Sequence, residues 1–236
     1  LSLHDALPIP FAPFLSAVQL GVVSDIHGNL PALEAVLEEM PSVDLLVCAG
    51  DVVGYNPWPA ACVGAVRDRG VPTVQGNHDR AVASGDAAGF NGMAKAGADY
   101  AGEQLDAGAI GWLGALPAER HVADGRVKLV HGHPDDPNHY TYPREFAPDL
   151  LDGEELLVMG HTHVQHHAVF EEGIVLNPGS VGQPRDGDSD AAYAVVDLDD
   201  RSVEERRVSY DIDAVIEAVE DAGLPPEIGE RLREGR

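Results

Sequence analysis

Asp25 and His27 stand two positions apart at the end of an apolar run, in "VVSDIHGN". Burying an acid and an imidazole alone costs several kcal/mol unless they are paired or bound, so partners are expected further along the chain. Four more polar clusters follow apolar runs. They are Asp51 in "GDVVG", Asn77, His78 and Asp79 in "GNHD", His131 and His133 in "HGH", and His161 and His163 in "GHTH". Imidazole, carboxylate and amide oxygens without thiolate suit manganese, iron, zinc, cobalt or nickel rather than soft-metal or iron–sulfur sites. Two such ions about 3.5–4 Å apart clamp a phosphoryl group. They need a bridging carboxylate, and Asp51 follows a strand and a glycine. In Asp25-x-His27 and His161-x-His163, alternate residues of a strand share a face, which predicts that each pair points to one side.

The elements that must carry these clusters read as follows. "VQLGVVSD" (18–25) is a short strand and "LPALEAVLEEM" (30–40) has helical apolar spacing. "VDLLVCAGD" (43–51) is a continuous apolar run, hence a strand buried on both faces. "PAACVGAVRDRG" (59–70) reads as a helix closed by Gly70, and "VPTVQGNHD" (71–79) as a third strand. This β-α-β-α-β order implies a mainly parallel sheet. Ligands bind beyond the carboxyl ends of such strands, so clusters far apart in sequence can converge on one rim. Residues 80–118 are rich in Ala, Gly and Asp and predict two or more helices. A strand at 126–132 precedes the loop "HPDDPNHYTYP". Further strands are expected at 155–160, 167–171, 173–177, 191–198 and 202–210, with short turns that imply antiparallel neighbours. Residues 211–234 read as helix split by "GLPP". The expected organisation is one α/β domain over 18–236. Residues 1–17, proline-rich and without Lys or Arg, are expected to be a non-native or disordered tail rather than a signal peptide.

Forty acidic residues against fifteen Lys and Arg give the 236-residue chain a formal charge of -25. Such a surface repels nucleic acid and anionic lipid. Only Lys95 and Lys128 are lysines. An acidic, lysine-poor surface suits a very salty cytosol, where screening shortens to about 3 Å at 1 M, and the expectation is a halophilic, cytoplasmic protein. Cys48 and Cys62 lie in apolar runs and read as small core residues in a reducing compartment. No apolar run approaches the ~20 residues of a membrane span.

The ordered set D-x-H, G-D-x-x-G, G-N-H-D, H-G and G-H-T-H resembles the signature of the calcineurin-like metallophosphoesterases, over residues 18 to about 230. "GDVVGYNPWP" and "NPGSVGQPRDGD" look like the small prokaryotic phosphoesterases related to diadenosine tetraphosphatases and serine/threonine phosphatases. The resemblance implies a four-layer α/β/β/α sandwich with two mixed sheets and a pair of divalent metals, manganese first, with iron, nickel, cobalt or zinc as alternatives. One metal would take Asp25, His27, Asp51 and His163, the other Asp51, Asn77, His131 and His161. A metal-bridging hydroxide would attack phosphorus, with His78 as general acid and Asp79 orienting its ring. Two departures stand out: His133 follows "HG" where many relatives have a small residue and could compete with His131, and Asn56 replaces a residue that is often Gly.

Arg185 is a candidate phosphate clamp, with a surface ion pair the equal alternative. Asn77 is counted with the substrate contacts as well as the metal ligands. "NPGS" (177–180) is a candidate source of backbone N–H groups for substrate. Tyr55 and Trp58 serve either as packing or as a platform for a base. The expected activity is hydrolysis of phosphate mono- or diesters, with dinucleoside polyphosphates and phosphoproteins in range. The partner is thus a small phosphorylated substrate, a nucleotide among the options, with no membrane and with nucleic acid disfavoured by the charge. The competing readings are a non-catalytic metal-binding scaffold and a nuclease. An acidic surface without a basic track argues against the nuclease.

Overall fold

The computed structural model describes residues 18–236, and the expectation for residues 1–17 lies outside them. Two sheets pack face to face. The first contains β1 (Gln19–Val23), β2 (Leu45–Cys48), β8 (Ala191–Asp197) and β9 (Ser202–Val208) in the order β2-β1-β8-β9. The second contains β3 (Glu119–Val122), β4 (Val127–Val130), β5 (Leu156–Val158), β6 (His166–Val169) and β7 (Ile174–Asn177) in the order β3-β4-β5-β7-β6. Both are mixed. β1 runs parallel to β2 and antiparallel to β8. β4, β5 and β7 are parallel to one another, flanked by antiparallel β3 and β6.

The helices cover the outer face of the first sheet. They are α1 (Leu30–Glu39), α2 (Pro59–Asp68), α3 (Asn77–Ser84), α4 (Gly92–Gln104) and α5 (Ala107–Gly114), with α6 (Ile212–Asp221) and α7 (Glu227–Glu230) at the end of the chain. The outer face of the second sheet, with Val130, Leu157, Met159 and Val175, packs against Phe146, Leu150, Leu151 and Phe170. That fourth layer is built on two short 3-10 turns, Pro143–Glu145 and Pro148–Leu150. Helix starts follow local chemistry. Side chains of Asn29, Asn91, Asp106 and Asp211 accept from the N–H three residues on, satisfying amides that the first turn leaves open.

Three expectations need correction. The third strand, 71–79, is a single bridge of Thr73 to Cys48, and helix α3 begins at Asn77. The run "VPTVQ" is too short to pair further before the chain turns back over the first sheet. β3 has no counterpart among the expected strands, because three of the four residues in "ERHV" are polar and it lies at an exposed edge. The segment 155–177 is not wholly antiparallel: the hairpin β6–β7 is, but β7 lies parallel on β5.

The core between the sheets interleaves Leu20, Val22 and Val47 with Leu129, Leu156 and Leu176. Fully buried leucines of this kind lose transfer energy and leave a cavity when truncated. Leu129→Ala is therefore expected to lower the unfolding free energy by about 2–5 kcal/mol in urea titrations, without displacing the polar clusters at the strand ends.

Candidate metal centre

The carboxyl ends of β1, β2, β4 and β5 open onto one rim, and each is followed by part of the polar set. Backbone pairing continues past the strands. Asp25 N–H donates to Gly50 O at 2.9 Å, His27 N–H to Asp51 O at 2.9 Å, and Gly160 N–H to His131 O at 2.8 Å. These bonds tie neighbouring loops within each sheet, and the His161 N–H, donating to Asp25 Oδ2 at 3.0 Å, joins the two. Alternation along a strand is not what aims the side chains, as the sequence suggested. Asp25, His27, His161 and His163 all lie beyond their strands, with φ of 53°, 49°, 67° and 59°. Asp51 and Tyr55 are also left-handed. Six of the nine described non-glycine residues with positive φ therefore belong to this rim. Each such residue costs of order 1–3 kcal/mol, and strain of this kind gathers at functional sites.

Asp25, His27 and His163 form one group whose candidate ligand atoms lie within 4.8 Å of one another; Asp51, His131 and His161 form a second. Asp51 links them. Its Oδ2 is 3.7 Å from His27 Nε2 and 3.3 Å from His131 Nε2, and a third group unites His27, Asp51 and His78. Asn77 Oδ1 lies 3.2 Å from His131 Nε2, on the second group's side. Seven residues, six from the loops after four strands and Asn77 from the start of α3, thus lie close together. His133 belongs to none of these groups; its ring packs on His139, centroids 5.5 Å apart.

The site fits divalent cations on its own evidence. Nδ1 of His27, His131 and His163 each lies on a backbone carbonyl, of Val53, Ala49 and Gln183, at 3.2, 2.7 and 2.6 Å. A carbonyl accepts, so Nδ1 carries the proton and Nε2 turns a lone pair inward. His161 is reversed: its Nε2 meets the Asn138 carbonyl at 3.3 Å, which leaves Nδ1 for a ligand. The Nε2 atoms of His27 and His163 face each other at 3.1 Å. Asp25 Oδ2 accepts from Ser24 Oγ and the His161 N–H, but its Oδ1 is buried with no hydrogen-bond partner. Inward lone pairs around an unpartnered carboxylate oxygen are a cation's surroundings.

The electrostatics agree. Burial would raise both carboxyls, but the imidazoles of His163 and His131 hold Asp25 well below its usual range, and those of His131 and His78 do the same for Asp51. Burial pushes His27 and His163 down and His161 to about 4, leaving them neutral and able to coordinate. His131 differs: burial opposes its charge, but Asp51 and Asp25 draw a proton onto it and raise it to about 10. Proton and cation therefore compete for His131 Nε2.

His78 sits at the start of α3, its N–H donating to Asp51 Oδ1 at 2.8 Å. Its ring lies among Tyr55, Phe90 and His27, with centroids 4.7, 4.6 and 4.8 Å away. Burial pushes its imidazole down to about 4. Asp79 has different partners from those the resemblance implies. Its Oδ2 accepts from the N–H groups of Asp51 and Gly76, and its Oδ1 from those of Val52 and Val53, at 2.8–3.3 Å. It braces the Asp51 loop, and His78 Nδ1 has no partner. Burial and the nearby Asp51 carboxylate raise Asp79 to about 7, against those N–H bonds.

"NPGS" is also a brace. The Gly179 N–H goes to Asn177 Oδ1, Ser180 Oγ donates to Asp25 O, and Asn177 Nδ2 donates to Gly160 O. Arg185 is half-buried, bonded to Gln183 Oε1 at 2.7 Å and to the Tyr55 hydroxyl at 3.3 Å, with no carboxylate among its described partners. Tyr55, 4% exposed, is packing rather than platform.

Residues 18–201 match the family model of the calcineurin-like phosphoesterase superfamily domain. The chain belongs to that family, and so is a phosphoester hydrolase. A metallophosphoesterase from Sphaerobacter thermophilus of known crystal structure is 34% identical with a TM-score of 0.81, over 93% of this chain and all of that one. An uncharacterised protein of Methanocaldococcus jannaschii is 33% identical over 92% of this chain and 98% of its own length. Phosphodiesterase YfcE of Escherichia coli is 29% identical over 79% of this chain and 91% of its own.

The bracing role of Asp79 has a measurable consequence. Asp79→Ala is expected to cost at least about 3 kcal/mol in chemical unfolding, because several buried N–H groups lose their acceptor at ~1–3 kcal/mol each. A ring-orienting role alone would slow turnover and leave stability near wild type.

Proposed function

We propose that the protein is a dinuclear metallohydrolase acting on phosphate mono- or diesters, dinucleoside polyphosphates and phosphoproteins being within its range. The observation that carries this reading is the shared position of Asp51 between two His/Asp groups. Asp25, His27, Asp51 and His163 hold one ion, and Asp51, Asn77, His131 and His161 the other, with manganese the first choice among manganese, iron, nickel, cobalt and zinc. When bound, the pair supplies charge to the phosphoryl oxygens and a lowered pKa to water.

The chain's own residues do the rest. His78 gives a proton to the leaving oxygen. Its Nδ1 faces Gly54 without a partner, which leaves Nε2 available. Burial disfavours the imidazolium, and an anionic substrate beside it acts the other way. Asp79 keeps the Asp51 loop in register with His78. Arg185, held by Gln183 and Tyr55 and with no carboxylate among its described partners, can clamp a phosphate oxygen. The Asn77 amide sits where it can serve ion and substrate together.

We read residues 18–236 as one catalytic domain, α6 and α7 included. Among the described residues no helix is long and apolar enough to cross a membrane. The formal charge of -25 supports a saline cytoplasm as its setting.

Two measurements test this. With Mn²⁺, hydrolysis of 4-nitrophenyl phosphate or its bis-ester is expected, and His78→Ala should reduce kcat by about 10²–10⁴-fold while calorimetry still finds two bound ions. Two bound ions with no turnover on a panel of mono-, di- and polyphosphate esters would favour the scaffold. If the surface is adapted to salt, Tm should rise steadily from 0.1 M to 2 M KCl as self-repulsion is screened; a flat or falling Tm would sink the halophilic assignment.

A further inference from the structure

Aromatic side chains make up 6% of this chain. Among the described residues only three large hydrophobic side chains are exposed: Tyr140 at 43%, Tyr142 at 39% and Val169 at 53%. Single exposed apolar residues need no explanation. Two tyrosines standing together at the mouth of a metal centre do. The Tyr140 ring lies on the imidazole of His161, centroids 3.8 Å apart and planes 24° apart. Tyr142 continues the stack outward, 6.3 Å from Tyr140 with planes 18° apart. The Arg144 guanidinium sits 5.5 Å from the Tyr142 ring.

The loop that carries them is tied down on both sides. Asn138 holds His161 through its carbonyl and accepts from Arg80 on α3 at 2.6 Å. Glu145 accepts from the Tyr142 N–H at 3.0 Å and pairs with His139 at 2.8 Å. Gly132 lies against the carbonyls of Pro137 and His139, so closely that a side chain there would displace them. The rings are thus presented in a preset orientation, which lowers the ordering cost of binding. Burial raises the Tyr140 phenol, and Arg185, Tyr55 and Asp51 all act on it electrostatically.

We propose that Tyr142, backed by Tyr140, is a stacking platform for a planar ring on the group esterified to the phosphate. Within the range proposed above, the substrate class is then a phosphate ester bearing an aryl or nucleobase ring, rather than a phosphoserine or a simple sugar phosphate. This rests on the phosphoesterase reading of the adjacent ions. Stacking an aromatic ring on such a side chain is sequence-tolerant and gives about tenfold or more in affinity.

The test uses the full chain loaded with Mn²⁺ and three phosphonates that cannot be hydrolysed: methylphosphonate, phenylphosphonate and an adenine-bearing alkylphosphonate. Calorimetry should show the ring-bearing pair binding about tenfold more tightly than methylphosphonate. Tyr142→Ala should erase that difference and leave methylphosphonate unchanged. Tyr142→Trp should restore or enlarge it, which a merely structural role would not do. Whichever of the phenyl and adenine probes gains more tells an aryl ester from a nucleotide. Equal affinities in the wild type, or a preference that survives Tyr142→Ala, would overturn the platform. Turnover is scored separately with phenyl phosphate and methyl 4-nitrophenyl phosphate. Hydrolysis without ring-dependent binding leaves the phosphoesterase standing and removes the platform, and ring-dependent binding without hydrolysis does the reverse.

Discussion

Two fully buried carboxylates set the terms for the whole molecule. Asp25 and Asp51 have almost no contact with solvent, and they lie within 4.0 Å of the imidazoles of His27, His131 and His163. Ions taken out of water at that depth cost several kcal/mol each unless other charges and hydrogen bonds answer them. The protein's reply is collective. Backbone carbonyls orient the imidazoles, Ser24 and the His161 amide take one oxygen of Asp25, and the His78 amide takes one of Asp51. What stays unanswered, Asp25 Oδ1, marks where a cation belongs.

Reaching this arrangement demands a distorted backbone, and the two-sheet scaffold makes the distortion tolerable. The rim residues adopt left-handed conformations only because neighbouring loops pair with them on both sides. The crowding is such that glycines sit where side chains could not. A Cβ on Gly76 would fall on the Asp51 carboxylate, and one on Gly160 would fall on Ser24 Oγ. The inter-sheet core supplies the stability against which such strain is spent.

The convergence of the polar clusters was legible in the sequence because most of them end an apolar run and parallel strands bring their carboxyl ends to one side, whereas the division into two ligand sets was implied only by the family resemblance. His131 after β4 and His161 after β5 are the clearest cases. The mechanism of aiming was not legible. Left-handed φ at an aspartate or histidine leaves no mark in residue type, so strand alternation looked sufficient. Asp79 was assigned by its neighbour His78, whereas three-dimensional proximity gives it to the amides of 51–53 and Gly76. The limits of α3 were hidden because Asn77, a ligand candidate at a strand end by pattern, opens a helix instead. Tyr140 and Tyr142 carried no periodic signal at all, being loop residues whose meaning depends on what they lie against.

The last two helices have a bearing on how the enzyme is to be delimited. Val215, Val219, Ile228 and Leu232 pack around Tyr55, whose ring meets His27 edge-on at 4.8 Å and whose hydroxyl holds Arg185. These helices lie beyond residue 201, where the family match stops. A fragment trimmed to that match would keep each imidazole and carboxylate of the rim yet lose the backing of its aromatic wall. The lining of the rim therefore depends on residues beyond that limit.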